Sequence, residues 1–130
     1  MACLETTFLI DLLRGDENIK HLKDDLDKTE DILAVAAPSV MELWTGAILS
    51  NKSASEKIKI SELLSSFTIF HLDEKAAKEA GEIEADLIKK GQIIDAEDIM
   101  IAGIAKSNGE KLITRDQHYA KISGLNLIKY

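Results

Sequence analysis

Four acidic residues, Glu5, Glu42, Asp98 and Asp116, stand in this 130-residue chain where their carboxylates can act together. Glu5 closes a short apolar stretch at the N-terminus, and Glu42 falls in the first turn of a helix expected after a second strand. Asp98 opens a later helix, and Asp116 follows the fourth expected strand at one residue's remove. In an open parallel sheet the working site lies beyond the carboxyl ends of the strands, so all four belong at one edge. Two carboxylates about 5 Å apart repel by about 3 kcal/mol at an effective dielectric of about 20, and four make several such pairs. No Lys or Arg accompanies each acid in the sequence, so protons or divalent cations must offset the repulsion. Oxygen donors without a His or Cys cluster favour Mg²⁺ or Mn²⁺ over Zn²⁺. Such an ion lowers the pKa of a bound water for attack on a phosphodiester and stabilises the leaving oxygen. It also inverts the local field, so that an acidic protein can hold a phosphate.

Each acid has a simpler reading. Ser39-x-x-Glu42 fits a capping box, in which Glu42 returns to its own helix terminus. Asp98 could only favour a helix dipole, Asp116 could be a turn or cap residue, and Glu5 an exposed strand-end acid. The functional case rests on their joint placement. His21, His71 and His118 have no zinc-ligand spacing, and His118 reads as a surface turn residue outside the site. The lone Cys3 reads as a buried apolar residue, and no phosphate-cradling Gly-rich motif occurs.

The elements that must position these acids follow from apolar spacing. Cys3 and Leu4 begin a strand, Phe8 to Leu13 is helical with Gly15 as a stop, and Asp16 to Lys28 is a second helix. Ile32 to Ala37 has the continuous apolar character of a strand buried on both faces. Pro38 then introduces a helix from Val40 to about Leu49, and Ser55 to Ser65 is another. Thr68 to Leu72 is rich in β-branched and aromatic types and reads as a strand. Asp73 caps a helix over Glu74 to Lys90, with ion pairs Lys75–Glu79 and Lys78–Glu82 expected on its solvated face, and Asp95 caps a helix over Ala96 to Lys106. Gly103, in mid-helix, reads as a site of close packing. Lys111 to Thr114 is a strand, Gln117 to Lys121 a short helical turn, and Asn126 to Lys129 a last strand. Apolar strands separated by helices imply an α/β fold with a mainly parallel sheet covered on both faces.

The length implies one domain, residues 1–130, with a sizeable core. At 45% apolar and 30% charged residues, with one Pro, the composition excludes disordered and collagen-like chains. No apolar run approaches the roughly 18 residues a membrane helix needs, and a signal-peptide pattern is missing, so a cytoplasmic protein is expected. A net charge of −7 argues against a module that merely coats nucleic acid. Residues Gly103 to Tyr130 nevertheless carry five basic against two acidic side chains, a face on which a polyanion could approach.

Leu4-Glu5-Thr6-Thr7-Phe8-Leu9-Ile10-Asp11-Leu12-Leu13-Arg14-Gly15 resembles the opening of PIN-domain proteins, specifically the VapC-like toxin ribonucleases of type II toxin–antitoxin systems. The resemblance continues at Ser39-Val40-Met41-Glu42-Leu43, at Asp95-Ala96-Glu97-Asp98-Ile99-Met100-Ile101-Ala102 and at Leu112-Ile113-Thr114-Arg115-Asp116, in the family's order from end to end. It implies a three-layer α/β/α sandwich, a homodimer, and Mg²⁺- or Mn²⁺-dependent endoribonuclease activity on RNA, restrained by a cognate antitoxin. Carried over by position, Glu5, Glu42, Asp98 and Asp116 match the family's acidic quartet. Thr7 stands where the family has a small polar residue, Thr114 matches the hydroxyl before the last acid, and Asp95 is a candidate outer acid. Arg14 and Arg115 flank the matched motifs as candidate phosphate contacts, or as ordinary surface ion pairs. Glu5 departs from the family's usual Asp; the extra methylene moves the carboxylate and adds a rotor. That departure motivates an alternative reading, a PIN-like module that binds antitoxin or RNA without cutting. A phosphoacceptor receiver domain fits less well, since Asp24-Asp25 falls in a helix rather than after the first strand.

Overall fold

The computed structural model describes residues 1–30 and 32–130. Its elements run β1 (Ala2–Leu4), α1 (Thr6–Leu13), α2 (Glu17–Thr29), β2 (Leu33–Ala36), α3 (Ala37–Leu49), α4 (Ser53–Leu64), β3 (Thr68–Phe70), α5 (Glu74–Lys89), α6 (Ala96–Ser107), β4 (Lys111–Thr114), a 3₁₀ turn (Gln117–Lys121) and β5 (Leu127–Lys129). The five strands pair in the order β3-β2-β1-β4-β5, every pair parallel. The strand order reverses between β1 and β4, which makes that gap the switch point where open sheets of this kind open a crevice.

Alternation along the strands splits the core into two layers. Cys3, Ala36 and Leu112 face α5 and α6, packing with Ile83, Leu87, Ile101 and Ile104. Ala2, Leu4, Val35 and Ile113 face the other way, onto Phe8, Leu9, Leu43 and Ile60 of α1, α3 and α4. Helices therefore cover both faces of the sheet, in the α/β/α layering the sequence pattern implies.

Local chemistry sets the boundaries. Asp16 and Asp73 cap α2 and α5 through side-chain acceptance from Asn18 N and Ala76 N. Helix α3 begins at Ala37, with Pro38 inside its first turn, earlier than the Val40 start that the apolar strand pattern suggests. Asp95 occupies the N-cap position of α6, but its side chain makes no capping hydrogen bond. The ion pairs expected along α5 are replaced: Lys78 pairs with Glu74, and Glu79 reaches across to Lys106 on α6. Gly103 does permit close packing, since a Cβ there would lie 2.8 Å from Ala80 Cβ and 2.9 Å from Ala76 O on α5. No helix among the described residues is long and apolar enough to cross a membrane.

Candidate functional site

The carboxyl ends of β1 and β4 lie side by side, Leu4 opposite Ile113. The residue after β1 is Glu5, whose extended backbone makes it the N-cap of α1. Its carboxylate accepts from Thr7 N at 2.6 Å, from Thr7 Oγ1 at 3.2 Å and from Thr114 Oγ1 at 2.7 Å. Only 2% exposed, Glu5 is not a solvated strand-end acid. Burial raises its pKa above the ordinary range, the hydroxyl and amide donors oppose that, and Asp116 adds to the rise.

Glu42 projects from α3 toward the same edge. Thr6 Oγ1 lies 3.0 Å from Glu42 Oε1 and 2.9 Å from the fully buried Ser39 Oγ. This corrects the capping-box reading: Ala36 is the N-cap of α3, and Ser39 and Glu42 both turn to Thr6 instead. Burial pushes the Glu42 carboxyl upward, with further contributions from Asp98, Glu97 and Asp116.

Asp98 enters from the first turn of α6, and Asp116 caps the 3₁₀ turn beyond β4. Asp98 Oδ1 accepts from the Tyr119 hydroxyl at 3.1 Å. Its pKa is raised, chiefly by burial and then by Asp116 and Asp95. Tyr119 is fully buried, and its phenol is driven far above the usual range by that burial. Asp116 Oδ1 accepts from His118 N at 2.9 Å, with His118 Nδ1 at 3.0 Å.

One ligand atom from each of Asp98, Asp116 and His118 lies within 4.8 Å of the others. This is the three-donor group that the described residues offer, and Glu5 and Glu42 stand around it without joining it. His118 is on an exposed turn, as its sequence reading has it, and from there its ring lies beside Asp98 and Asp116. Among the described residues no Lys or Arg pairs with any of the four acids; the guanidinium nearest in sequence, that of Arg115, is held by Asp11, with Nε 2.8 Å from Oδ2. That pair lowers the Asp11 pKa, with help from the Tyr130 hydroxyl. Arg14, exposed, lines with Glu42 a groove of about 400 Å³ between α1, α3 and α4. Asp95 is exposed and acts on Asp98 only through its charge.

Raised pKa values at Glu5, Glu42 and Asp98, no Lys or Arg paired with the four acids among the described residues, and three donors close enough to share one ion make a donor set that fits a divalent metal. Nucleophilic catalysis by the lone thiol is disfavoured, because burial pushes Cys3 up to about 12.

Sequence reasoning gave no site role to Asp11, Glu97, Tyr119 or Tyr130, and it set His118 outside the site. Asp11 sits in the opening motif, and its acidic character on the inner face of an apolar helix is a legible signal for a charge partner, which Arg115 supplies. The pairing of Tyr119 with Asp98 had no such signal, since the two are 21 positions apart on separate elements.

The PIN domain family profile matches residues 2–125. Over 109 residues, 83% of each chain, the sequence is 26% identical to the tRNA(fMet)-specific endonuclease VapC of Salmonella typhimurium. Over 84 residues, 65% of this chain and 64% of the other, it is 34% identical to the ribonuclease VapC2 of Haemophilus influenzae. Among solved structures, VapBC2 from Rickettsia felis, bound to a DNA fragment from its promoter, superposes with a TM-score of 0.93 at 23% identity, covering 100% of this chain and 99% of that one.

Proposed function

This chain belongs to the PIN-domain family, and from that premise we propose that it is a VapC-like toxin, an endoribonuclease dependent on Mg²⁺ or Mn²⁺. The observation that carries this is the convergence of Asp98 and Asp116, ringed by Glu5 and Glu42, at the β1/β4 switch point, with no Lys or Arg among the described residues paired with them. Asp98, Asp116 and the two glutamates are the residues that would hold the ion. A divalent cation there supplies the positive charge that the carboxylates lack and Lewis acidity toward a phosphodiester.

The chain's own groups orient the acids. Thr7 and Thr114 fix Glu5, Thr6 fixes Glu42, Tyr119 fixes Asp98 and the His118 backbone N–H fixes Asp116, so each of the four carboxylates is held by a neutral donor that leaves its charge available. Of the basic side chains in the C-terminal stretch, Lys106, Lys111 and Arg115 pair with Glu79, Glu30 and Asp11, which leaves Lys121 and Lys129 to meet an RNA approaching this edge. A cognate antitoxin and a homodimer are supported by the relatives' VapC identity and by the exposed apolar residues Met41, Trp44, Ile48 and Leu49 along α3. Residues 1–130 would act as one PIN unit in the cytoplasm.

RNA cleavage by the purified chain tests the proposal. Cleavage should require Mg²⁺ or Mn²⁺, stop with EDTA, and fall at least roughly 100-fold in Asp98→Asn, with the far-ultraviolet circular dichroism unchanged. Full activity in EDTA or in that variant would contradict it. The use of both Glu5 oxygens within the protein favours, as a second reading, a module that binds RNA or antitoxin without cutting. Tight binding of RNA that stays intact with Mn²⁺ present would identify that case.

A further inference from the structure

We propose that His118 is a direct nitrogen ligand of the ion held at this edge, so that the centre is a mixed imidazole–carboxylate site selecting Mn²⁺ over Mg²⁺. The inference rests on the metal-site reading above and goes beyond it by naming an added ligand and the selectivity that it confers.

Three observations point to the ring. The ligand atoms of Asp98, Asp116 and His118 are mutually within 4.8 Å, so one ion can touch all three without rearrangement of the backbone. His118 Nδ1 lies 3.0 Å from Asp116 Oδ1. Adjacent donors around an octahedral ion with bonds of about 2.1 Å are separated by about 3 Å, the spacing already present. The placement is also favoured by the main chain: Asp116 accepts the His118 backbone N–H, which fixes the acid against the backbone that carries the imidazole, at the start of one 3₁₀ turn.

The carboxylates leave room for a further donor. Glu5 is 2% exposed, and both of its oxygens are occupied by Thr7 and Thr114. Glu42 Oε1 is engaged by Thr6, and Asp98 Oδ1 by Tyr119. The His118 side chain, 60% exposed, has no other acidic or basic partner among the described residues and can turn without disturbing the core. Magnesium demands hard oxygen donors and near-ideal geometry, whereas an imidazole nitrogen is a softer ligand that first-row transition ions accept more readily.

Calorimetric titration of the full chain with Mn²⁺ and with Mg²⁺ reads the selectivity, and pulsed EPR of the Mn²⁺-loaded chain reads the ligand. The expected result is a ¹⁴N coupling of a directly bound imidazole, lost in His118→Ala. That variant should bind Mn²⁺ roughly tenfold more weakly while its Mg²⁺ affinity changes little, so the ratio of the two affinities falls. His118→Gln, which keeps polarity without the ring nitrogen, should behave as His118→Ala does. Mn²⁺ bound normally with no ¹⁴N coupling, or an unchanged ratio in the variants, overturns the role of His118 and leaves the carboxylate site standing. Absence of any Mn²⁺ binding overturns both.

Discussion

Thr7 and Thr114 hold Glu5, Thr6 holds Glu42 and Tyr119 holds Asp98. Hydroxyls orient carboxylates without cancelling their charge, so the metal-free protein keeps the repulsion. Asp98 shows the consequence. Its pKa is raised by burial, then by Asp116 and Asp95. A carboxyl raised above its unfolded value, near 4, contributes stability while protonated and loses that contribution as pH rises through the folded value. Asp98→Asn keeps an acceptor for Tyr119 and removes a charge. In metal-free buffer at pH 7 its melting temperature should therefore exceed that of the parent by about 2 to 4 °C, the gain shrinking as the pH falls toward 4. A lower melting temperature at pH 7 would contradict this reading. Asp11 has the opposite sign: Arg115 and Tyr130 lower its pKa, so its contribution is present at neutral pH and lost on acidification.

The two long C-terminal helices supply the rigidity on which the site depends. Helix α6 carries Asp98 in its first turn and is locked to α5 by the contact at Gly103. A Cβ at Gly103 would lie 2.8 Å from the backbone N of Ala80, which cannot yield as a flexible side chain would. Gly103→Ala should therefore cost about 1–3 kcal/mol in urea unfolding. Gly81→Ala, one position beyond Ala80 on α5, meets no atom within 4 Å and should stabilise by about 0.5–1 kcal/mol through helix propensity. Equal effects at the two glycines would show that the packing argument fails. The elements themselves were legible in the sequence because each strand is a short apolar run and each helix keeps an apolar face. Their ends were less so: α3 starts three residues before Val40, because a strand's apolar run gives no mark of where its backbone turns helical.

At the scale of the molecule, parallel order β3-β2-β1-β4-β5 places the switch point between β1 and β4 and delivers Glu5, Glu42, Asp98 and Asp116 to one edge. Their placement could be read from the sequence, since the strand–helix alternation predicts which loops share that edge. Their partners could not. The Asp11–Arg115 pair spans 104 positions and Thr114–Glu5 spans 109, and only the register of β1 against β4 brings such residues together. The turn that carries His118 was legible, and so was its place two positions after Asp116; what the sequence did not show is that α6 brings Asp98 to the same ring. The central claim is that this edge is incomplete without a divalent cation, and melting the full chain against rising Mn²⁺ at pH 7 tests it most directly. Binding to the folded state alone stabilises it by about 2.7 kcal/mol at 100 times the dissociation constant. The melting temperature should climb with Mn²⁺ in the parent and stay flat in Asp98→Asn/Asp116→Asn; a flat response in the parent, or an equal climb in both, would contradict the account.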